Sequence, residues 1–330
     1  MNIREIARLC GVSTSTVSRI LNNKPDVRPE TREKVIGIMN QMAFRPTIAS
    51  HRHETIGVVT PTVAHPEFMG ELMNGIMEAA YALGKYLTLI PTHQPDAEDL
   101  THFCRCNGLS GMLVINPPLQ SNLPQSLVEH KIPHVIVAAS FKDQEVTWVD
   151  VDNKGGSGEM INHLLRGGHR RIAIFHHKRH ANQCEEDRIG GYIQSLQEHG
   201  VALDPSLMHE MTMADEDLTV PIRRMMQQDQ PPTAVFCTTH RLTFNVLNHL
   251  KLLHIRVPEE ISLSGFGDYD VTALMTPALT SVYQPIYDMG KTSVHVLEQL
   301  LNAPEYKKQQ ITLPTRVIVR HSTRTLSVTQ

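Results

Sequence analysis

The first chemistry that this sequence suggests is hydrogen bonding from one face of a short helix. In the run TSTVSRILN, which starts at residue 14, Val17, Ile20 and Leu21 mark an apolar face. The opposite face carries hydroxyl and guanidinium groups, on Thr14, Ser15, Ser18 and Arg19. Such groups read base edges in the DNA major groove, which is about 12 Å wide and admits one helix. The pattern predicts a DNA-reading helix; the alternative is an ordinary solvated face of a three-helix bundle.

The flanking residues predict two neighbours that hold this helix in place. An apolar face at Ile6, Ala7 and Cys10 indicates a preceding helix, which Gly11 ends. Ser13 is placed to cap the reading helix. A third helix is expected to begin near Pro29, because proline suits a first helical turn. Two short helices joined by a tight glycine-containing turn form a helix-turn-helix.

Charge is divided unevenly along the 330 residues, whose net charge is −3. Residues 1–54 contain nine Lys and Arg against five Asp and Glu, a net charge of +4. The remaining residues contain 22 against 29, a net charge of −7. A small basic head on an acidic body indicates that the head is the part that meets phosphate.

After residue 54 short β-rich runs alternate with helical stretches. The expected strands are 55–60, 86–91, 111–116, 134–139, 171–176, 233–238, 261–266 and a last one at 316–321. Continuous apolar strands that alternate with helices indicate buried parallel sheets. Sheets of this kind bind ligands at the carboxyl ends of their strands.

The run REIARLCGVSTSTVSRILNNKPDVRPETREKV resembles the head of the lactose/galactose/purine repressor family. The resemblance continues through VDVDNKGGSGEMINHLLRGGHRRIAI, DRIGGY, PTAVFCTTH, VPEEISLSGFGD and PALTSVYQP. It implies an α/β fold: a three-helix helix-turn-helix head, then a periplasmic-binding-protein-like body of two doubly wound parallel-sheet subdomains.

The resemblance also implies limits for each part of the chain. The expected units are a DNA-binding head at 1–46, a hinge at 47–54 and an effector-binding and dimerisation body at 55–330. In the body, the expected N-terminal subdomain is 55–152 with 285–314, and the C-terminal subdomain is 153–284 with 315–330. The implied function is that of a regulator, and specifically a repressor, which binds double-stranded palindromic operator DNA as a homodimer.

Within the head, the resemblance assigns a role to each polar residue of the reading helix. It implies that Thr14 and Ser15 are variable base readers and that Arg19 is the most reliable base contact. It implies phosphate contacts for Ser13, Thr16, Ser18 and Asn22. Arg28 departs from the family pattern, in which a Ser or Thr commonly caps the third helix.

Within the body, the resemblance places a small-molecule effector, a sugar or sugar phosphate, between the subdomains. It implies that Arg188 in DRIGGY binds this effector; an ordinary surface arginine is the alternative. The other expected contacts are Phe68, Asp152, His176, His177, Thr239, His240 and Asp268. For Phe68 the alternative is a role in the core. For several of the polar side chains the alternative is a position that faces solvent.

The chemistry of these positions distinguishes a neutral sugar from a charged one. Most sugar-binding members carry Asn-Asp where this chain has Thr239-His240, and a second Asp where it has Gly267. The TT and GFGD patterns instead resemble the fructose-repressor branch, whose effectors are phosphorylated sugars. Histidines near Arg188 would favour an anion, so binding is expected to weaken as the pH rises through the histidine range.

Other classes of site and protein find little support. The five cysteines form no CxxC pair, and the 19 histidines include no HExxH. No nucleophile elbow or paired-carboxylate motif appears, and GGSG at 155–158 fits the start of a helix better than a phosphate loop. We therefore expect no metal, no cofactor and no enzymatic activity. A metal- or phosphate-dependent enzyme is the disfavoured alternative.

The expected location is the cytoplasm, with no membrane partner. The first residues, MNIREIARLCG, carry charges throughout and do not resemble a signal peptide. No apolar run approaches the ~18 residues that a membrane span needs. A solute-binding protein with the same body fold is the alternative function, and the basic head argues against it.

The hinge departs most from the family pattern. The segment from Pro46 to Thr55 is about five residues shorter than usual and has no leucine to wedge into the minor groove. We expect an irregular linker that bends the operator little, with His51 or Arg52 near the DNA. No heptad helix follows the last strand, which favours a dimer over a tetramer.

Overall fold

The computed structural model describes residues 3–21, 27–41, 54–61, 66–92, 97–119, 121–141, 144–177, 182–212, 217–303 and 308–326. Asn22 and hinge residues 47–53 lie outside the described residues. The chain forms two compact units, Met1–Glu54 and Thr55–Gln330.

The first unit contains three described helices around a small apolar core. They are α1 (Ile3–Cys10), α2 (Thr14–Leu21) and α3 (Pro29–Gln41). Gly11 has φ +66°, a left-handed conformation that glycine adopts without steric cost, and it ends α1 as expected. The buried side chains that join the helices are Ile6, Ala7, Cys10, Val17, Ile20, Val35 and Met39. The helix-turn-helix is confirmed.

One six-stranded parallel sheet is built mainly from the first part of the second unit. Its strands are β1 (Thr55–Pro61), β2 (Tyr86–Thr92), β3 (Leu109–Ile115), β4 (His134–Val137), β5 (Trp148–Val151) and β11 (Gln310–Leu313). The order across the sheet is β11-β5-β4-β3-β1-β2. One face packs against α4 (Pro66–Ala82) and α12 (Ile286–Asn302), and the other against α5 (Ala97–Cys106) and α6 (Leu123–Glu129).

A second six-stranded sheet follows. Its strands are β6 (Ile172–His177), β7 (Met208–Met211), β8 (Ala234–Cys237), β9 (Ser262–Phe266), β10 (Thr280–Tyr283) and β12 (Arg316–Ile318), in the order β12-β10-β9-β8-β6-β7. The helices α7 (Asn153–Arg166) and α8 (Gln183–Glu198) pack on one face. The helices α9 (Thr219–Met226) and α10 (His240–Leu252) pack on the other. A short helix, α11 (Asp270–Leu274), follows β9.

Both sheets are covered by helices on both faces, which explains why their strands are continuously apolar. All residues of β4, β5, β8 and β9 are buried. The helices approach closely at glycines: a Cβ on Gly75 would lie 2.0 Å from the carbonyl oxygen of Tyr287, and one on Gly290 would lie 2.3 Å from that of Leu72. This close contact fastens α12 to α4.

The structure differs from the sequence prediction in several elements. Four short strands, β5, β7, β10 and β11, were not predicted. The last strand covers Arg316–Ile318 rather than 316–321, and it pairs antiparallel with β10. The GGSG segment lies within α7, as the helix-start interpretation expected.

Candidate functional site

The polar face of α2 is organised by its cap. Ser13 Oγ accepts a hydrogen bond from the backbone N–H of Thr16 at 3.1 Å. The same oxygen lies 2.7 Å from Ser15 Oγ and 2.8 Å from Thr16 Oγ1. Ser13, Thr14, Ser15 and Arg19 are exposed, and Thr16 and Ser18 are half-buried. The helix therefore presents hydroxyls and one guanidinium to a partner while its other face is buried.

In the second unit, Arg188 on α8 is held by partners from three other segments. Its Nε donates to Asn153 Oδ1 at 2.9 Å, and its Nη1 donates to the carbonyl of Thr238 at 2.8 Å. Its Nη2 donates to Gln284 Oε1 at 3.2 Å. The guanidinium carbon lies 3.9 Å from the ring centroid of Phe266, a cation–π contact. These contacts fix the plane of the guanidinium.

The partners of Arg188 follow the ends of parallel strands. Asn153 begins α7 just after β5, Thr238 follows β8, and Gln284 follows β10. Arg188 therefore lies at the carboxyl edge of these strands, where folds of this kind bind ligands. Its helix lies very close to α7: a Cβ on Gly191 would be only 2.2 Å from the carbonyl oxygen of Lys154, so a residue larger than glycine would not fit there. Gly191 of DRIGGY thus serves the packing that brings Arg188 to Asn153.

A buried carboxylate lies behind Asn153. Both oxygens of Asp150 are 3.2 Å from Asn153 Nδ2, which donates to them, and Oδ1 accepts the backbone N–H of Val151 at 2.7 Å. Asp150 is 2% exposed and Asn153 is 1% exposed. Burial raises the pKa of Asp150 to about 7, although its hydrogen bonds and the charge of Arg188 favour the ionised form.

Side chains around this edge also join the two sheets. His240 Nε2 on α10 lies 3.2 Å from Glu67 Oε2 on α4. The thiol of Cys184 on α8 donates to the carbonyl of Ala138, just after β4, at 3.0 Å. Tyr269 packs edge-on against His240, with 4.6 Å between ring centroids. We call this set of five residues the inter-sheet junction.

The histidines near the junction are mostly buried, which changes their chemistry. Burial lowers the pKa of His177 and that of His240, although Glu185 and Glu67, respectively, oppose this. These two imidazoles therefore lose their protons at lower pH than an ordinary histidine does. The expected weakening of anion binding as pH rises through that range has to be corrected: any contribution from these two side chains lies at lower pH.

Two family models match the chain in order along its length. The model described as bacterial regulatory proteins, lacI family, matches residues 2–47. The model for the periplasmic binding protein-like domain matches residues 161–323. The chain belongs to the lacI family of bacterial regulatory proteins.

Several characterised relatives of this lacI-family chain align over nearly its full length. The transcriptional repressor CytR of Escherichia coli strain K12 is 28% identical over 98% of this chain and 96% of its own. Catabolite control protein A of Priestia megaterium is 25% identical over 98% and 99%. The solved complex of the transcriptional regulator CelR with cellobiose matches with a TM-score of 0.74 at 25% identity, covering 98% of this chain and 99% of that one.

These relatives establish the class of the lacI-family chain. It is a DNA-binding transcription regulator with an effector domain, and the prediction that it is not an enzyme is confirmed because its relatives are regulators. Within the described residues, no three or more His, Cys, Asp or Glu side chains are arranged to hold a metal ion. No described helix is long and apolar enough to span a membrane.

The structure gives several of the predicted effector residues of this lacI-family member other partners. Asp152 caps α7, accepting from Gly155 N at 2.8 Å, and Thr239 caps α10. Asp268 accepts from Arg320 Nη1 at 2.6 Å and Nη2 at 3.1 Å, and from Ser281 and Thr272. These contacts favour structural roles for all three.

The remaining predicted residues lie at different depths. His176 is 3% exposed, and its Nδ1 lies 2.7 Å from the carbonyl of His177. His177 Nε2 lies 3.5 Å from Thr239 Oγ1. Phe68 is half-buried against the core of the first sheet. Arg188 is the predicted cation whose charged group the structure orients most fully.

Four polar residues whose side chains form part of the site were not among the predicted effector contacts: Asp150, Asn153, Gln284 and Glu67. Asp150 lies in WVDV, where a single acidic residue interrupts an otherwise apolar run. Glu67 directly precedes Phe68, which the sequence singled out. A charged residue inside a buried strand was the signal that was available, because such a residue needs a partner.

Proposed function

We propose that this regulator is a repressor whose affinity for its operator is set by a carbohydrate or phosphorylated sugar bound beside Arg188. The observation that carries this proposal is the fixed guanidinium at the carboxyl edge of the strands. Asn153, Thr238 and Gln284 each accept one of its N–H groups. A guanidinium has five donors, so two remain to grip a ligand oxygen.

The chemistry of Arg188, Gln284 and the neighbouring inter-sheet junction favours an effector that carries both hydroxyls and an anionic group. Arg188 supplies a planar cation, which suits phosphate or carboxylate. Glu67 and Gln284 supply acceptors for hydroxyls near the same edge, and Tyr269 supplies an aromatic ring. The relative CelR was solved with cellobiose, a neutral sugar. If this chain resembles the fructose-repressor branch, as we propose, it differs from CelR in preferring a phosphorylated ligand.

The effector acts on DNA binding only if it binds two states of the body with different affinity. Contacts across the junction supply candidates for that difference, because His240–Glu67 and Cys184–Ala138 join parts built on different sheets. A ligand that strengthens or replaces these contacts changes the relation between the sheets. We propose this as the link between effector and operator affinity.

In the head, we propose Arg19 as a base contact, with Thr14 and Ser15 as further readers and Ser13, Thr16, Ser18 and Asn22 at phosphates. Exposure of Thr14, Ser15 and Arg19 supports this. The domain limits 1–46, 47–54 and 55–330, and an irregular hinge that bends DNA little, remain proposals. Because the relatives are bacterial regulators of DNA, we place the protein in the cytoplasm.

We propose a homodimer that reads a palindromic operator, since two-fold symmetry of a dimer is mirrored in its site. Exposed apolar side chains on α4 and on the edge strand β2 support a self-association surface. Tyr81 is 88% exposed, Leu89 57% and Met77 48%. Sedimentation is expected to give a mass near twice 37.1 kDa.

Substitution locates the proposed dimer surface. Tyr81→Glu combined with Leu89→Arg is expected to reduce the mass toward that of one chain. Val319→Glu, at an exposed residue of the C-terminal region, is the matched control and should leave the dimer intact. A wild-type monomer at micromolar concentration contradicts the proposal.

One experiment tests the regulator and its effector together. Fluorescence anisotropy measures binding to promoter DNA flanking its own gene, with ribose, cellobiose and ribose 5-phosphate added in turn. We expect the phosphorylated sugar to change operator affinity more than ribose does. Arg188→Ala should abolish that response while operator binding without sugar persists, because a hydrogen bond to a charged group contributes about 1.5–3 kcal/mol.

Two controls separate the causes of a failure. Arg188→Lys keeps the charge but loses the planar fork, so an intermediate response is expected. Arg316→Ala removes another arginine that stacks over a ring, that of Tyr283. It should leave the response unchanged. An undiminished response in Arg188→Ala contradicts the proposed site, and specific DNA binding that no sugar alters contradicts the effector class.

The alternative is a solute-binding protein that has no DNA function. The match of residues 2–47 to the lacI-family model disfavours it. Failure of the full-length protein to distinguish promoter DNA from random DNA would support that alternative.

A further inference from the structure

Asp150 occupies a position that the fold alone does not require to be acidic. It lies within β5, between β4 and β11, and is 2% exposed. Its β5 neighbours Val149 and Val151 are apolar and buried. Burying a carboxylate carries a large desolvation cost, so a residue of this kind in a core strand calls for a role that offsets it.

The contacts of Asp150 continue outward in one direction. Asn153 Nδ2 donates to both of its oxygens at 3.2 Å, and Asn153 Oδ1 then accepts from Arg188 Nε at 2.9 Å. We propose that Asp150 is a positioning residue, whose carboxylate orients the Asn153 amide and thereby holds Arg188 in place for the effector. This inference rests on the proposed function for the role of Arg188, but the positioning itself can be measured without a ligand.

The physical reason lies in the number of donors and acceptors. An ionised carboxylate only accepts, so the NH2 group of the Asn153 amide must face it and the amide oxygen must face Arg188. A protonated Asp150 can also donate. The preference for this orientation then weakens because, among the acceptors that hold the NH2 group, only the carbonyl of Val151, at 3.3 Å, is unchanged. A turned amide would bring its NH2 group against the Nε–H of Arg188, two donors that repel. Ionisation of Asp150 therefore strengthens the orientation that Arg188 needs.

Other charged or titratable groups near Asp150 come from α8. Arg188 favours its ionised form, whereas Asp187 disfavours it. The Cys184 thiol stays protonated, because burial and the nearby charge of Asp150 raise its pKa. Since the pKa of Asp150 is about 7, its ionisation changes near neutral pH. Effector affinity should therefore fall as the pH falls through about 7, opposite to a requirement for charged histidine.

The direct test observes the Arg188 side chain in the full-length protein without ligand. In deuterated protein labelled with 15N at arginine Nε, the Arg188 signal is assigned by its loss in Arg188→Lys. In the wild type, this signal is expected to shift between about pH 6 and about pH 8, following ionisation of Asp150. In Asp150→Asn it should change position or broaden and lose that pH dependence.

A matched control removes a similar charge that does not contact Asn153. Asp187 also lies near Arg188, and it accepts from Gln183 Nε2 at 2.8 Å. In Asp187→Asn, the Arg188 signal should retain its titration, with a midpoint shifted to lower pH because a like charge is removed. An Arg188 signal that is the same in wild type and Asp150→Asn at every pH overturns the inference.

Stability separates positioning from a merely structural role. The pKa of Asp150 is raised on folding, so the folded chain binds this proton more tightly than the unfolded chain, and Asp150 makes stability fall as the pH rises from about 4 to about 7, above which the loss is constant. Asp150→Asn should therefore have a higher Tm than wild type at about pH 8, and this gain should shrink toward about pH 5. A lower Tm at both pH values indicates a structural role and counts against the inference.

Calorimetry with ribose 5-phosphate completes the test. At about pH 8 we expect Asp150→Asn to bind about five-fold more weakly than wild type, the size of one well-placed hydrogen bond. Equal binding contradicts the inference. If wild type binds neither ribose 5-phosphate nor ribose, the proposed effector fails, whereas the Arg188 signal still decides whether Asp150 positions it.

Discussion

The α2 helix of the head and the Arg188 site of the body are both proposed to recognise a partner with polar side chains, yet they are built in opposite ways. Thr14, Ser15 and Arg19 are exposed and lie on one helix. Asp150 and Asn153 are almost fully buried, and Asn153 accepts from Arg188, which is 35 residues further along the chain. A reading surface is thus a local property of a sequence, whereas a buried polar network is a property of the topology.

The largest effect that would test this comparison is unfolding of the head while the body stays folded. Val17 is fully buried in the core of the first unit, and Val17→Asp would place a charge there. The cost of several kcal/mol matches or exceeds the free energy of unfolding expected for a unit of about 54 residues, roughly 3–8 kcal/mol. We expect DNA binding to vanish in a gel shift, while calorimetric unfolding of the body is unchanged.

The matched control for this prediction makes the same substitution at an exposed residue. Ile36 on α3 is 43% exposed, so Ile36→Asp should leave the head folded. Operator binding by Val17→Asp at the wild-type level would contradict the packing of the head. Loss of the body transition in that variant would show that the two units do not unfold independently.

The sequence predicted the elements whose pattern is local and long. The three helices of the head, the parallel sheets and Arg188 followed from periodicity and from the motif resemblance. Strands β5 and β11 were missed because WVDV and QITL are four-residue segments that contain polar residues. Their identity depends on pairing with each other across about 160 residues of chain. No local pattern carries that information.

The same limit explains which site residues the sequence missed. Glu67 meets His240 and Gln284 meets Arg188 only because two sheets are brought together. Asp268 shows the converse: its motif suggested a ligand contact, but Arg320, distant in the chain, binds its carboxylate at 2.6 Å. A motif locates a residue at a strand end without saying which side chain from elsewhere will meet it.

A smaller effect is expected from base reading by Arg19. Arg19→Ala should cost about 1–3 kcal/mol on operator DNA and much less on random DNA, because a guanidinium grips guanine through two hydrogen bonds. Anisotropy titrations on both DNAs measure this difference. Arg8→Ala, at an exposed arginine of α1, is the control and should affect both DNAs alike. Equal losses for Arg19→Ala on both DNAs would leave it only a phosphate contact.

The smallest effect concerns the link between Glu67 and His240 in the junction. The Glu67 side chain is 43% exposed and that of His240 is 6% exposed. Burial lowers the pKa of His240, and Glu67 opposes this by favouring the protonated form. Because the folded chain binds this proton less tightly than the unfolded chain, His240 makes stability fall as the pH falls through about 6.5.

Glu67→Gln removes the carboxylate that offsets this loss. The variant should therefore lose more stability than wild type between about pH 7.5 and about pH 5.5, by less than about 1 kcal/mol because the carboxylate is partly exposed. Thermal unfolding at the two pH values measures the difference, and the other buried histidines cancel since both proteins share them. Glu129→Gln, at an exposed carboxylate of α6, should match wild type. If Glu67→Gln also matches it, the contact across the junction contributes no measurable stability, and the effector response must depend on Arg188 and its buried partners.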